Sequence, residues 1–169
     1  VYLATASFGQ GISTTLMQLV KSYGALAYEG KIMQPYVIKM MKDKSGNIVK
    51  QNEPKVLRQV ISPHTSEMIG GMLVSVVENG HAKKAGVPGY WVAAKTGTAQ
   101  IADTVKGGYS EETAHTLIGY APYKNPKFVM AIKVMAPQGV EFAESTVAPL
   151  WGKIAKFILD YYDVPPDRK

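Results

Sequence analysis

Three β-prone segments between residues 90 and 135 constrain the fold of this chain more than any other feature. Tyr90-Trp91-Val92-Ala93-Ala94 runs straight into Lys95-Thr96-Gly97-Thr98-Ala99, and two further strand-like runs follow at residues 116–120 and 128–135. Ala121-Pro122-Tyr123-Lys124-Asn125-Pro126 joins the last two, while residues 101–113 are polar and glycine-containing and read as a loop. Successive strands with such connections pair antiparallel most economically, and a sheet of this kind must bury an apolar face against another layer.

Helical segments are available to cover it. Leu16, Leu19, Val20, Tyr23, Leu26 and Ala27 fall on one helical face, with Thr15 and Gln18 in capping-box spacing and Gly30 at the far end. Ser62 followed by Pro63 is an N-cap with proline at the first helical position, and Ile69, Met72, Leu73, Val76 and Val77 form an apolar stripe up to Asn79-Gly80. Gly70-Gly71 inside that helix costs about 1 kcal/mol per glycine against alanine, which predicts the close approach of another backbone. A third helix is predicted from Ser145 or Thr146 as cap, with Pro149 in its first turn and Leu150, Trp151, Ile154, Phe157, Ile158 and Tyr161 on its buried face, and Pro165-Pro166 ends the fold. Between the first two helices, residues 36–41 read as a strand, Lys44-Ser45-Gly46-Asn47 as a turn and Ile48-Val49 as a returning strand. The fold class is therefore α+β, an antiparallel sheet covered by helices. The chain opens on Val1-Tyr2-Leu3 and a small-residue, glycine-rich stretch rather than a polar tail, which reads as a start inside a fold and predicts incomplete burial in isolation.

Composition removes several function classes. A formal charge of +6 over 169 residues invites a nucleic-acid reading, but the basic residues are scattered, Lys83-Lys84 is their densest pair, and Glu111-Glu112, Glu141 and Glu144 interrupt the positive field. No nucleic acid is expected as a partner. The absence of cysteine excludes disulfides, thiolate metal sites and a cysteine nucleophile, and His64, His81 and His115 lack metal-ligand spacing, so no metal and no cofactor is expected. No apolar run approaches the ~18 residues that span a bilayer, so any membrane anchor is expected outside this segment.

Lys95-Thr96-Gly97 is the strongest chemical signal. Its lysine follows an apolar strand, its glycine leaves the strand surface open to a ligand backbone, and Thr96 and Thr98 place hydroxyls on either side of that glycine. An extended peptide can lie along such a strand edge while the lysine and hydroxyls meet its terminal carboxylate, and the N–H of Thr98 can face a developing oxyanion. Strict alternation puts Lys95 and Gly97 on one face and Thr96 with Thr98 on the other, so all four serve together only at a twisted edge. Ser45-Gly46-Asn47 matches a short S-x-N pattern but sits in a predicted hairpin turn. His115 borders the motif strand and reads first as a structural histidine; Asp103, Glu111 and Glu112 read as solvated charges, and the loop at Tyr109 is a candidate lining of the groove.

The motif belongs, with S-x-x-K and S-D-N, to the signature elements of penicillin-binding proteins and class A β-lactamases. The similarity extends further: Phe8-Gly9-Gln10-Gly11-Ile12-Ser13 with Gln18-Leu19, Lys95-Thr96-Gly97-Thr98-Ala99-Gln100, Ile118-Gly119-Tyr120-Ala121-Pro122 with Asn125-Pro126, and Ala148-Pro149 fall in the order found in class B penicillin-binding proteins. Over nearly its whole length the chain resembles the C-terminal part of their transpeptidase domain. The resemblance implies that residues 1–169 are one part of a single domain, with a mainly antiparallel sheet between helices, that cross-links peptidoglycan stem peptides through an acyl-serine and is acylated by β-lactams. It assigns carboxylate binding and the active-site lysine role to Lys95, Thr96 and Thr98, close approach to Gly97, and an oxyanion-hole N–H to Thr98. No S-x-x-K occurs in the sequence, so the acylated serine, its lysine partner and the S-x-N element are expected in an N-terminal part of the same domain. The implied partners are that part, the stem peptide and β-lactams, and the implied location is the extracytoplasmic face of the bacterial cytoplasmic membrane. A noncatalytic peptide-binding or scaffold module and a serine β-lactamase fragment are the alternatives; the Phe8-Gly9-Gln10-Gly11 and Ala148-Pro149 blocks favour the transpeptidase.

Overall fold

A computed structural model describes residues 2–7, 9–103 and 105–168; Val1 and Phe8, which carry part of the reading above, lie outside them. The chain runs through α1 (Tyr2–Ala6), α2 (Leu16–Ala27), β1 (Lys31–Met33), β2 (Met40–Lys42), β3 (Ile48–Gln51), β4 (Val56–Gln59), α3 (Pro63–Asn79), a 3-10 turn at Lys83–Ala85, β5 (Ala93–Ala102), β6 (Tyr109–Ala121), β7 (Phe128–Met135) and α4 (Ala143–Tyr161). No helix among the described residues is long and apolar enough to cross a membrane.

The expected start signals are present where they are local. Thr15 Oγ1 accepts the Gln18 N–H at 3.1 Å while the Thr15 N–H donates to Gln18 Oε1 at 2.8 Å, which closes the capping box of α2. Gly30 ends that helix in the left-handed region (φ 81°), its N–H bonding the Ala25 carbonyl at 2.7 Å. Ser62 Oγ accepts the Thr65 N–H at 3.0 Å to cap α3, with Pro63 as its first residue.

Strands β5, β6 and β7 form the antiparallel sheet in that order. Their register stacks Ala94, Gly119 and Met130, then Thr96, Leu117 and Ile132, then Thr98, His115 and Val134 on one face. Helix α4 covers this face, burying Val147, Ala148, Trp151, Ala155 and Leu159 against Ala94, Leu117 and Ala121. Trp151 is fully buried, donates its indole N–H to the Met130 carbonyl at 3.0 Å and meets the Phe128 ring at 6.0 Å. On the opposite face Ala93 and Tyr120 pack with Leu73 of α3 and with Tyr23 and Leu26 of α2, while Ser66 Oγ donates to the Leu26 carbonyl at 2.7 Å and ties the two helices together. The result is a three-layer α/sheet/α arrangement, as the α+β reading requires.

Several boundaries depart from expectation. Of residues 36–41 only Met40 and Met41 join a strand, and the small pair β1·β4 was not foreseen, because strands of three or four residues with exposed or half-exposed side chains carry no alternation. Strand β6 begins at Tyr109 rather than near Thr116, with Ala102 opposite Tyr109, so the presumed loop shrinks to a short tip. Met72 on α3 is exposed, and the neighbours of Gly70 are rings, not backbone: a Cβ there would lie 2.6 Å from both Tyr120 Oη and Tyr123 Cε2. Helix α4 starts at Ala143 with Phe142 as N-cap, so neither Ser145 nor Thr146 caps it and Pro149 lies in its interior. Its buried stripe also differs, since Leu150, Phe157 and Tyr161 are exposed while Gly152 and Ala155 face inward. The periodicity followed bulk, whereas the packing uses small residues that let the 3-10 turn approach to 2.9 Å of a Cβ built on Gly152.

The chain also continues to pack beyond Pro165-Pro166. The Tyr90 hydroxyl donates to the Val164 carbonyl, Asp167 Oδ1 accepts the Trp91 N–H at 2.8 Å, and Arg168 pairs with Glu78 at 2.8 Å while stacking 4.2 Å over the Trp91 ring. Large apolar side chains stay exposed on the β1–β4 lobe, among them Val37, Ile38, Met41 and Val49, and on α4.

Candidate functional site

Lys95-Thr96-Gly97-Thr98 occupies the first half of β5, which takes one end of the sheet and has no strand on its outer side among the described residues. Strand alternation opens this edge toward two clefts. On the α4 side a cleft of about 320 Å³ is lined by Lys95, Thr96, Thr98, His81, Phe142 and Glu144. On the α2 side a cleft of about 370 Å³ is lined by Gly97, Ala99, Thr116, Tyr109 and the segment from Gly9 to Thr14.

The geometric difficulty of the motif is thereby resolved in part. Although Lys95 alternates away from Thr96 and Thr98, its flexible stem brings Nζ back to donate to the Thr96 carbonyl at 2.8 Å, and all three residues border one cleft. Gly97 alone opens to the other side, and nothing in this chain requires a glycine there: the nearest atoms to a built Cβ are Thr116 Cβ at 3.8 Å and the Thr116 carbonyl oxygen at 4.0 Å, ordinary contacts.

Thr98 has a second role in the fold. Its Oγ1 accepts the N–H of Ala143 at 3.2 Å, the first residue of α4, whose own N-cap Phe142 offers no side-chain acceptor. The accepting bond leaves the single hydroxyl proton of Thr98 available to the cleft. Positive character converges there from the Lys95 ammonium and the N-terminal end of α4, with Glu144 of the first turn as the opposing charge, 3.6 Å from exposed His81.

His115, which reads from sequence as a structural residue at a strand start, lies inside β6 directly opposite Thr98 and is fully buried. Its Nε2 lies 3.0 Å from Thr113 Oγ1 and its Nδ1 2.8 Å from Thr146 Oγ1. The Thr146 hydroxyl also donates to the Ala143 carbonyl at 3.4 Å, which links the buried imidazole to the first turn of α4. A lone histidine gives no sequence signal for this; only the cross-strand register reveals it.

The remaining candidates separate cleanly. Tyr109 does line the groove, its hydroxyl accepting the Gly11 N–H at 2.9 Å. Asp103 turns the β5–β6 tip, where the N–H groups of Lys106 and Val105 bond its carboxylate and hold it below the usual carboxylate range. Ser45-Gly46-Asn47 is turn chemistry: Asp43 Oδ1 accepts the N–H of Ser45 at 2.8 Å and of Asn47 at 3.0 Å at the tip of the β2–β3 hairpin.

Comparison with known proteins bears on this geometry. The sequence description of the penicillin binding protein transpeptidase domain matches residues 2–159. Stage V sporulation protein D of Bacillus subtilis is 38% identical over 167 residues, which cover 96% of this chain and 25% of that protein. A probable peptidoglycan D,D-transpeptidase PenA of Neisseria flavescens is 31% identical over 168 residues, 98% of this chain and 39% of that protein. The crystal structure of penicillin binding protein 3 from Mycobacterium tuberculosis complexed with aztreonam superposes with a TM-score of 0.87 at 31% identity, covering 96% of this chain and 38% of that one. The chain thus spans about a quarter to two-fifths of the length of these relatives. By family match, identity and superposed fold together, this chain belongs to the penicillin-binding protein transpeptidase domain family.

Proposed function

We propose that this chain is the C-terminal part of a serine D,D-transpeptidase domain of the class B type, which cross-links peptidoglycan stem peptides and is acylated by β-lactams. The observation that carries the reading is the convergence of Lys95, Thr96 and Thr98 on one cleft at the open edge of β5. In this reading an extended stem peptide pairs along that edge, and the Lys95 ammonium with the Thr96 and Thr98 hydroxyls receives its terminal carboxylate. The Lys95–Thr96 carbonyl bond supports an outward-facing Thr96 backbone, and residues two apart in a strand share a side, which turns the Thr98 N–H the same way, toward an oxyanion.

The nucleophile is supplied by an N-terminal part of the domain, since no S-x-x-K is present here. Its serine attacks the carbonyl of the penultimate D-Ala residue, expels the terminal D-Ala, and passes the acyl group to an amine of a neighbouring stem peptide. A β-lactam presents its ring carbonyl and carboxylate to the same groups. The domain works on the outer face of the cytoplasmic membrane, in the cell envelope.

The test is fluorescent penicillin labelling of the full-length protein, with intact mass before and after. Labelled wild type and a Lys95→Ala variant that keeps its unfolding midpoint but loses at least about a hundredfold in acylation rate are expected, the weight of a charged hydrogen-bonding group at the reacting centre. An unlabelled but folded wild type would favour a noncatalytic peptide-binding module, and wild-type acylation in Lys95→Ala would remove that lysine from the site.

A further inference from the structure

A threonine that both caps a helix and offers a proton to substrate must be held in one rotamer. Thr98 gains that orientation from Ala143, because its Oγ1 accepts the Ala143 N–H at 3.2 Å. The orientation is then only as fixed as the first turn of α4, which has no side-chain cap of its own at Phe142. Two side-chain hydrogen bonds tie that turn to the sheet, beside the packing of Ala143 and Val147. One is the Thr98 bond itself; the other is Thr146, whose Oγ1 lies 2.8 Å from His115 Nδ1 and 3.4 Å from the Ala143 carbonyl.

His115 is suited to this task. It is fully buried, opposite Thr98 on one side and Val134 on the other, so its ring cannot turn to water without breaking the sheet face. Both ring nitrogens are engaged, Nε2 with Thr113 Oγ1 at 3.0 Å and Nδ1 with Thr146, which fixes the ring plane. Resting on the transpeptidase reading, we propose that His115 is a positioning residue: through Thr146 and the backbone of Ala143 it sets the rotamer of Thr98, so that the Thr98 hydroxyl proton points at the substrate carboxylate. It touches no substrate.

Near-isosteric variants of the full-length protein separate this role from packing. Asparagine places its amide where Nδ1 stood and keeps a donor for Thr146; glutamine reaches toward the Nε2 position, keeps Thr113 and loses Thr146. The acylation rate constant with a fluorescent penicillin should fall about tenfold or more in His115→Gln and in Thr146→Val, the usual weight of a hydrogen bond to a charged group, while His115→Asn stays within about threefold. The loss should follow the Thr146 contact and not the thermal midpoint of each variant.

Equal losses in His115→Asn and His115→Gln that track their midpoints would overturn the inference and leave a packing role. Wild-type acylation in Thr146→Val would overturn it as well. A folded wild type that takes no label fails at the earlier step, defeating the transpeptidase reading and this inference with it.

Discussion

Replacing glycine by alanine inside a helix should have opposite signs at different positions in this fold, and the structure says which. Gly24 in α2 has no atom within 4 Å of a built Cβ, so Gly24→Ala should collect the intrinsic helix preference, about 1 kcal/mol. A Cβ built on Gly152 in α4 would lie 2.9 Å from the Lys84 carbonyl oxygen and 3.3 Å from the Ala85 carbonyl carbon and Cα. These are backbone atoms of a turn whose Ala82 and Ala85 are fully buried, so they cannot swing aside as a side chain can. Overpacking of this kind costs about 1–3 kcal/mol. Gly152→Ala should therefore fall about 1–3 kcal/mol below Gly24→Ala despite the same chemistry. With about 2–4 °C per kcal/mol for a domain of this size class, calorimetry should place the two midpoints about 2–12 °C apart, Gly24→Ala above the wild type. A Gly152→Ala midpoint raised as far as that of Gly24→Ala would refute the claim that small residues on α4 exist to admit the 3-10 turn.

Two further predictions concern the packing that supports the site. Burial pushes the Tyr120 phenol up to about 12 and moves that of Tyr23 in the same direction, so each is neutral when folded over a range where it ionises when unfolded. Their contribution is fully present below pH about 10 and is lost as pH rises toward 12; urea midpoints should decline across that window, less steeply in Tyr120→Phe, and an unchanged slope in that variant would contradict the assignment. Arg168→Ala should lower the unfolding free energy from urea titration by about 1 kcal/mol, chiefly through the lost stacking on Trp91, because the Glu78 pair is partly exposed and screened. A loss that vanishes in high salt would instead give the ion pair the leading share.

What was legible in the sequence was what its own neighbours enforce. The capping box at Thr15 and Gln18, the Ser62-Pro63 start and the turn at Lys44 to Asn47 each complete their hydrogen bonds within four residues, so type and spacing suffice to read them. The start of α4 was misplaced for the converse reason: the acceptor for Ala143 is Thr98, 45 residues earlier, and no local pattern can announce it. The buried face of α4 was misread because its selection is for smallness at Gly152 and Ala155, which an apolar-period search ranks below Phe157 and Tyr161. Strand β6 was cut short at its start because Ser110, Glu111 and Glu112 are polar, yet the hairpin still pairs Ala102 with Tyr109.

The site shows the same division, and the division has a consequence for reading such motifs. Lys95, Thr96 and Thr98 could be picked from the tripeptide and its flanks, since a cation, hydroxyls and a glycine on a strand describe a carboxylate-binding edge. Their cooperation could not, because alternation alone sets Lys95 against the threonines, and it is the Lys95 stem reaching the Thr96 carbonyl that brings them to one cleft. His115 was discounted for being solitary, and in sequence it is; across the sheet it stands opposite Thr98 with both ring nitrogens engaged. A residue that lines a cleft while capping a helix cannot be moved without disturbing both, so the threonine after the glycine is constrained from two directions: by the cleft it faces and by the helix it starts. Serine at position 98 keeps the hydroxyl that accepts the Ala143 N–H, and alanine loses it. Valine keeps the shape and loses the hydroxyl, which is why a shape-preserving change at this position should behave like a truncation.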